Sequence, residues 1–276
     1  MQKLKLSIIG GGNMATAILE GLFNNKLVSP DSIMVTNRSA GKLERLQERW
    51  PIKISYNDIE AANFGDVIIL AVKPVDMKIA CEQVRQGITR DNPVVSVAAG
   101  VRIDTLKKWL GYSDQPIIRV MPNMPAQIGL GISGWTASEE VNRQQIETIR
   151  QILRVLGHEI YFEKEDALDQ VTAISGSGPA YIFYLAELLT KSGKEIGLTE
   201  GEAKELVLQM IYGAASMLRA NGKTPAELRI AVTSKGGTTE AALREFTRSN
   251  LDTVIMRGVE AAYIRGKEIG QQWANS

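Results

Sequence analysis

The chain has 276 residues, 44% hydrophobic and 23% charged, with 32 Lys and Arg against 31 Asp and Glu, one Cys and one His. Its length suits two domains at ~150 residues each, and its near-zero net charge gives no electrostatic reason to bind nucleic acid or a membrane surface. Cys81 alone makes neither a disulfide nor a thiolate cage, and His158 alone cannot build a multi-histidine zinc site, so no metal is expected.

The apolar run at the start is too short for a signal peptide. The longest run elsewhere, Val67 to Val72, falls short of the ~20 residues that cross a bilayer. A cytoplasmic protein that spans no membrane is expected.

Leu4 to Ile9 is the first candidate strand, and it runs into Gly10-Gly11-Gly12-Asn13-Met14-Ala15 and then the apolar helical stretch Thr16 to Leu22. Read as G-x-G-x-x-A, Gly10 permits a tight turn, Gly12 lets backbone approach a pyrophosphate, and Ala15 allows close helix packing. The helix start offers free N–H groups and the positive end of its dipole to phosphates. The second strand, Ile33 to Thr36, ends in Thr36-Asn37-Arg38-Ser39 with no acidic residue to grip a ribose 2′-hydroxyl. Arg38 and its small polar neighbours suit a 2′-phosphate, so NADPH is the expected cofactor and NADH the alternative. A solvated loop arginine is the plain reading of the same residue.

Three further strands follow, each leading into a loop. Val67 to Val72 enters Ala71-Val72-Lys73-Pro74, Val94 to Val97 enters Ala98-Ala99-Gly100, and Ile117 to Met121 enters Pro122-Asn123-Met124-Pro125. Short β-branched runs separated by helical stretches indicate a parallel sheet covered on both faces, the doubly wound α/β class, whose ligands bind beyond the carboxyl ends of the strands. Lys73 and Arg119 are the cations of this region, and each is read as catalytic or as structural.

An amphipathic stretch from Val141 to Leu156 is followed by a last strand, Glu159 to Phe162, with His158 at its start in a structural or surface role. Beyond it helix formers dominate. Val207, Met210, Ile211, Ala214 and Leu218 recur at helical spacing, as do Ile255, Val259, Ala262 and Tyr263. The expected organisation is therefore a Rossmann-type domain over residues 1–163 and an all-helical domain over 164–276. The second is small enough that a second copy of the chain is expected to cover its helices. Two stretches break its helix texture: Ser175-Gly176-Ser177-Gly178-Pro179-Ala180-Tyr181 kinks an apolar helix, and Ser234-Lys235-Gly236-Gly237-Thr238-Thr239 makes a carboxylate cradle before the helical run Glu240 to Phe246.

Taken in order, Gly-Gly-Gly-Asn-Met-Ala at 10–15, Ala-Val-Lys-Pro at 71–74, Ala-Ala-Gly-Val at 98–101, Met-Pro-Asn at 121–123, Ser-Gly-Ser-Gly-Pro-Ala at 175–180 and Gly-Gly-Thr-Thr at 236–239 resemble pyrroline-5-carboxylate reductase. The resemblance runs through nearly the whole chain, and its last two motifs are the specific ones. It implies NAD(P)H-dependent reduction of 1-pyrroline-5-carboxylate to L-proline, the final step of proline biosynthesis. It also implies a helical domain that pairs between subunits, an active site between the Rossmann domain and that dimeric part, and dimers that assemble into decamers. By matching positions, Ile9, Gly10, Gly11, Gly12, Asn13 and Met14 would bind the pyrophosphate side of the cofactor, and Asn37, Arg38, Ser39 and Asn57 its adenosine end. Ala71, Val72, Lys73, Pro74, Ala98, Ala99 and Gly100 would line the nicotinamide side. Ser234, Gly237, Thr238 and Thr239 would hold the substrate carboxylate, with Glu165 and Thr172 beside the ring nitrogen. Thr172 is read equally as a proton donor there and as a helix hydroxyl bonding the preceding turn. The family's usual Ser-Pro-Gly-Gly is here Ser234-Lys235-Gly236-Gly237, which adds freedom to the unbound loop and a cation beside it. Met124 is a milder departure.

Imine reduction suits this inventory, since it needs a hydride at carbon and a proton at nitrogen but no metal or covalent nucleophile. A hydroxyacid dehydrogenase would share the first domain but carry a Gly-rich helix with a Lys acid or base, a pattern not found here. A catalytically silent paralogue binding only the cofactor is the alternative from another class, and the intact Gly-Gly-Thr-Thr cradle argues against it.

Overall fold

The computed structural model describes residues 4–220 and 222–274. Its centre is an eight-stranded sheet in the order β3-β2-β1-β4-β5-β6-β7-β8. The strands are β1 (Leu6–Ile9), β2 (Ile33–Thr36), β3 (Lys53–Ser55), β4 (Val67–Leu70), β5 (Val94–Ser96), β6 (Ile117–Met121), β7 (Gly131–Ala137) and β8 (Gly157–Tyr161). All neighbours run parallel except β6 and β7.

The helices sort onto the two faces by strand alternation. Leu6 and Ile8 of β1, with Val67 and Ile69 of β4, join one core with α1 (Asn13–Asn24), α2 (Ala40–Arg49) and α6 (Arg143–Arg154). Ile9, Ile68 and Leu70 join the other, with α3 (Asp58–Phe64), α4 (Met77–Val84) and α5 (Ile103–Leu110). Strands covered on both sides have no solvent face, which is why β1 and β4 read as continuous apolar runs. Ser7, the one polar residue of β1, satisfies its hydroxyl by donating to the Ala61 carbonyl at 2.5 Å.

Two strands escaped the sequence reading. β3 has only three residues and no apolar run, and β7 is broken up by Gly131, Ser133 and Gly134. Those glycines are packing requirements: a Cβ at Gly134 would lie 2.7 Å from Val171, and one at Gly131 would lie 2.8 Å from Ala126. His158 sits exposed on β8, opposite Ile132.

After β8 come α7 (Ala167–Val171) and a π turn over Thr172–Gly176, where the Ser177 N–H donates back to the Thr172 carbonyl at 2.8 Å. The remaining helices are α8 (Gly178–Glu195), α9 (Glu200–Ala220), α10 (Pro225–Ala231), α11 (Thr238–Arg248) and α12 (Leu251–Ala274). The stretch Ser175 to Tyr181, expected to kink a helix, overlaps this π turn at Ser175 and Gly176, while Gly178 to Tyr181 open α8; such bulges are frequent at functional sites.

By contacts the chain forms two compact units, one of residues up to Ser177 together with Ala262 onward, the other Gly178–Ala261. The expected boundary at residue 163 falls between β8, which ends at Tyr161, and α7, which begins at Ala167. Within Gly178–Ala261, Ala203 is the only buried residue among the described ones, tucked against Gly193 where α8 meets α9. Tyr181, Phe183, Leu185, Leu206, Met210, Leu218, Phe246 and Ile255 are all exposed. None of the described helices is long and apolar enough to cross a membrane.

Candidate functional site

The site begins at the carboxyl end of β1, where the chain must turn sharply into α1. Gly10 takes φ +107°, in the left-handed region, and a Cβ there would lie 2.6 Å from the Ala71 carbonyl oxygen. The turn is pinned on both sides: the Gly10 N–H donates to Thr36 O at 2.9 Å, and the Ala71 N–H donates to Ile9 O at 2.8 Å. The Gly11 N–H donates to Asn37 Oδ1 at 3.3 Å, and Asn37 Nδ2 donates to Ser39 O at 3.1 Å, which fixes the tip of β2 against the glycine turn. Gly12 stands at the N-cap of α1, where no side chain caps the helix and an added Cβ would meet nothing within 4 Å. The first-turn N–H groups of Asn13 and Met14 therefore have no side-chain acceptor. Fully buried Ala15 lets the helix lie close to the sheet.

These elements border a cleft of about 350 Å³. Of the expected cofactor residues, Ile9, Gly10, Gly12, Asn37, Arg38, Ala71, Val72 and Lys73 line it together, while Gly11, Asn13, Met14, Ser39, Asn57, Pro74, Ala98, Ala99 and Gly100 do not. Local structure occupies several of the latter. Asn57 caps α3, accepting from the Ile59 N–H at 2.9 Å. Gly100, at φ +77°, packs against Ile269 of α12, which a Cβ would approach to 2.5 Å. Pro74 begins a 3-10 turn, Pro74–Asp76, that leads into α4.

The cleft also holds Lys42, Tyr56, Asp58, Asp76 and Gln83, which sequence reasoning missed. Asp58 comes from the start of α3, yet it accepts from the Thr36 hydroxyl at the end of β2 at 2.5 Å. Partial burial pushes its carboxyl above the ordinary range, against the opposing pull of Thr36 and Arg38. The acid absent from the end of β2 in sequence is thus supplied in space, with only Thr36 as a hint. Arg38 pairs with Asp76, Nη2 to Oδ1, at 2.7 Å.

A second charged cluster lies at the end of β6. Arg119, almost fully buried, pairs with Glu165 at 3.0 Å and Asp169 at 3.4 Å. Glu165 also accepts from the Ile103 N–H at 2.9 Å and faces Arg102 at 3.4 Å. Arg119, read from sequence as catalytic or structural, is the centre of this network. Arg102 holds the Asp166 carboxyl below its ordinary range. At the π turn, the Thr172 hydroxyl donates to Leu168 O at 2.7 Å.

The cradle residues lie in the helical unit. The Gly237 N–H donates to Ser234 O at 3.0 Å, Gly236 takes φ +74°, and Gly237 is the N-cap of α11. No side chain caps that helix, so the first-turn N–H groups of Thr238 and Thr239 have no capping acceptor. Glu240, also missed, reaches back to accept from the Gly236 N–H at 2.7 Å. Among the described residues no cluster of His, Cys, Asp and Glu is arranged to hold a metal ion.

Residues 165–269 match the family model described as pyrroline-5-carboxylate reductase dimerisation, and residues 5–100 match that described as NADP oxidoreductase, coenzyme F420-dependent. A pyrroline-5-carboxylate reductase of Pseudomonas aeruginosa is 35% identical over 99% of both chains. The solved structure of one from Coxiella burnetii superposes with a TM-score of 0.90 at 37% identity, covering 97% of this chain and 99% of that one. The Plasmodium falciparum enzyme, solved with NADP bound, does so at 0.88 and 27% identity, covering 98% and 99%.

Proposed function

From the premise that the chain belongs to the pyrroline-5-carboxylate reductase family, we propose how its residues carry the NADPH-dependent reduction of 1-pyrroline-5-carboxylate to L-proline, the closing step of proline biosynthesis. The observation that carries the reading is the uncapped start of α1, open at Gly12 onto a cleft of about 350 Å³. Backbone N–H groups without a side-chain cap, with a helix dipole behind them, suit a pyrophosphate. Arg38 and Lys42 line the same cleft and suit a 2′-phosphate. When bound, the dinucleotide supplies the hydride.

The chain's residues bind and orient. Gly10 to Met14 hold the pyrophosphate; Asn37, Arg38, Ser39 and Asn57 take the adenosine end; Val72, Lys73 and Ala99 flank the nicotinamide. Ser234, Gly237, Thr238 and Thr239 hold the substrate carboxylate at the start of α11. The Thr172 proton is committed to Leu168 O, which leaves the oxygen's lone pairs to accept from the N–H of a protonated imine. Glu165, with its carboxylate engaged by Arg119 and the Ile103 N–H, is a positioning residue. Holding the two reactants in line supplies up to ~7–11 kcal/mol of the barrier.

Dimers form through the helical unit and assemble further into decamers. A cytoplasmic setting agrees with a single buried Cys81, whose thiol is pushed up to about 12 by burial.

The test is to mix purified protein, NADPH and 1-pyrroline-5-carboxylate and follow absorbance of the reduced cofactor. Oxidation that depends on the imine is expected; none, with this or other cyclic imino acids, would leave a silent cofactor-binding protein. Thr172→Ala should lower turnover ~10²-fold if its oxygen holds the imine proton. A change below about threefold would remove Thr172 from contact with the imine.

A further inference from the structure

We propose that Asp76 sets the cofactor preference of the cleft by holding Arg38 in an ion pair that a 2′-phosphate must displace. The inference rests on the reading of the cleft as the dinucleotide site. Arg38 follows β2 and Asp76 closes the turn after β4, and both line the cleft. Because β1 lies between β2 and β4 in the sheet, their 2.7 Å contact spans the carboxyl end of β1, across the glycine turn.

The two partners are unequally fixed. The Arg38 side chain is 78% exposed and that of Asp76 only 26%, so the guanidinium is the mobile half. Asp76 makes no cap hydrogen bond to α4, and among the described residues its one ion-pair partner is Arg38. Its backbone is held separately, its N–H donating to Lys73 O at 2.9 Å. The carboxylate therefore has one visible role, which is to compete for Arg38. Asp58, the other acid of the cleft, is hydrogen-bonded by the Thr36 hydroxyl and feels Arg38 without an ion pair to it.

A phosphate monoester matches a carboxylate in offering a guanidinium two parallel acceptors and carries up to two charges against one, so it displaces the carboxylate. The neutral 2′-hydroxyl of NADH makes no demand on Arg38 and leaves the pair closed. Asp76 thus weakens NADPH binding selectively, by occupying Arg38. Exposed pairs are weak, so the effect is modest and tunes the preference for NADPH without reversing it.

The test is fluorescence titration of NADPH and of NADH into the full-length protein, at one salt concentration, for wild type, Asp76→Asn, Arg38→Ala and the double variant. Asp76→Asn should tighten NADPH about two- to fivefold and leave NADH within about 1.5-fold, and the gain should vanish in the Arg38→Ala background. Equal shifts for both cofactors, no shift for NADPH, or a full shift without Arg38 would overturn the proposal. If wild type binds neither cofactor, the reading of the cleft falls with it; if wild type binds both and Asp76→Asn moves neither, the proposal alone falls.

Discussion

Asp58 and Glu165 show how a single carboxylate takes opposite characters in one unit. Burial raises the Asp58 pKa above its ordinary value, so the folded chain binds that proton more tightly than the unfolded chain does. Stability is then lost as pH rises from about 4, the unfolded value, through the raised folded value. Asn keeps the acceptor for Thr36 and removes the charge. Asp58→Asn should therefore be more stable than wild type at pH 7, with the gap narrowing toward pH 4; denaturant unfolding at several pH values reads it, and a gap independent of pH would contradict the sign. Glu165 is instead one leg of the network on buried Arg119. Glu165→Gln leaves that guanidinium with Asp169 at 3.4 Å and should cost about 3 kcal/mol in unfolding free energy. If Glu165 only positions, the KM for the imine changes less than the stability does.

Among the elements, the loop before α11 is tied from the first turn of its own helix, where Glu240 accepts from the Gly236 N–H beside Lys235. Glu240→Ala should raise the KM for the imine about two- to fivefold, the worth of one exposed charge-assisted bond, with little change in kcat; steady-state kinetics at saturating NADPH separates the two. What was legible in sequence at this scale follows from what is local. The turn at Gly10 to Ala15 was readable because its needs are backbone needs: a positive φ, a close approach, an uncapped helix start. β1 and β4 were readable because burial on both faces leaves an unbroken apolar run. β7 was not, because Gly131 and Gly134 answer to Ala126 and Val171, and nothing local announces such partners. Asp58 and Asp76 escaped for the same reason, since the sheet order that brings them beside β2 and β1 is not written in their neighbours.

At the scale of the molecule, the unit Gly178–Ala261 has one buried residue, Ala203, among its described residues. One buried alanine cannot offset the entropy of ordering its helices, so its exposed apolar faces require a second chain, as its match to a dimerisation domain implies. Met210→Glu puts a charge on the α9 face and should weaken self-association on the order of 30-fold or more. Sedimentation across a dilution series reads this, and the wild-type melting temperature should itself rise with protein concentration. A wild-type chain that stays monomeric and melts at one temperature at all dilutions would refute the argument.

Those uncovered faces also carry a genetic consequence. A copy damaged only in the glycine turn keeps them intact, so it enters assemblies beside sound copies. In a cell making both forms, inactive chains would be shielded from degradation by the sound ones. A lesion at Gly10 would then be inherited differently from one at Met210: the first would dilute the active assemblies, and the second would drop out of them.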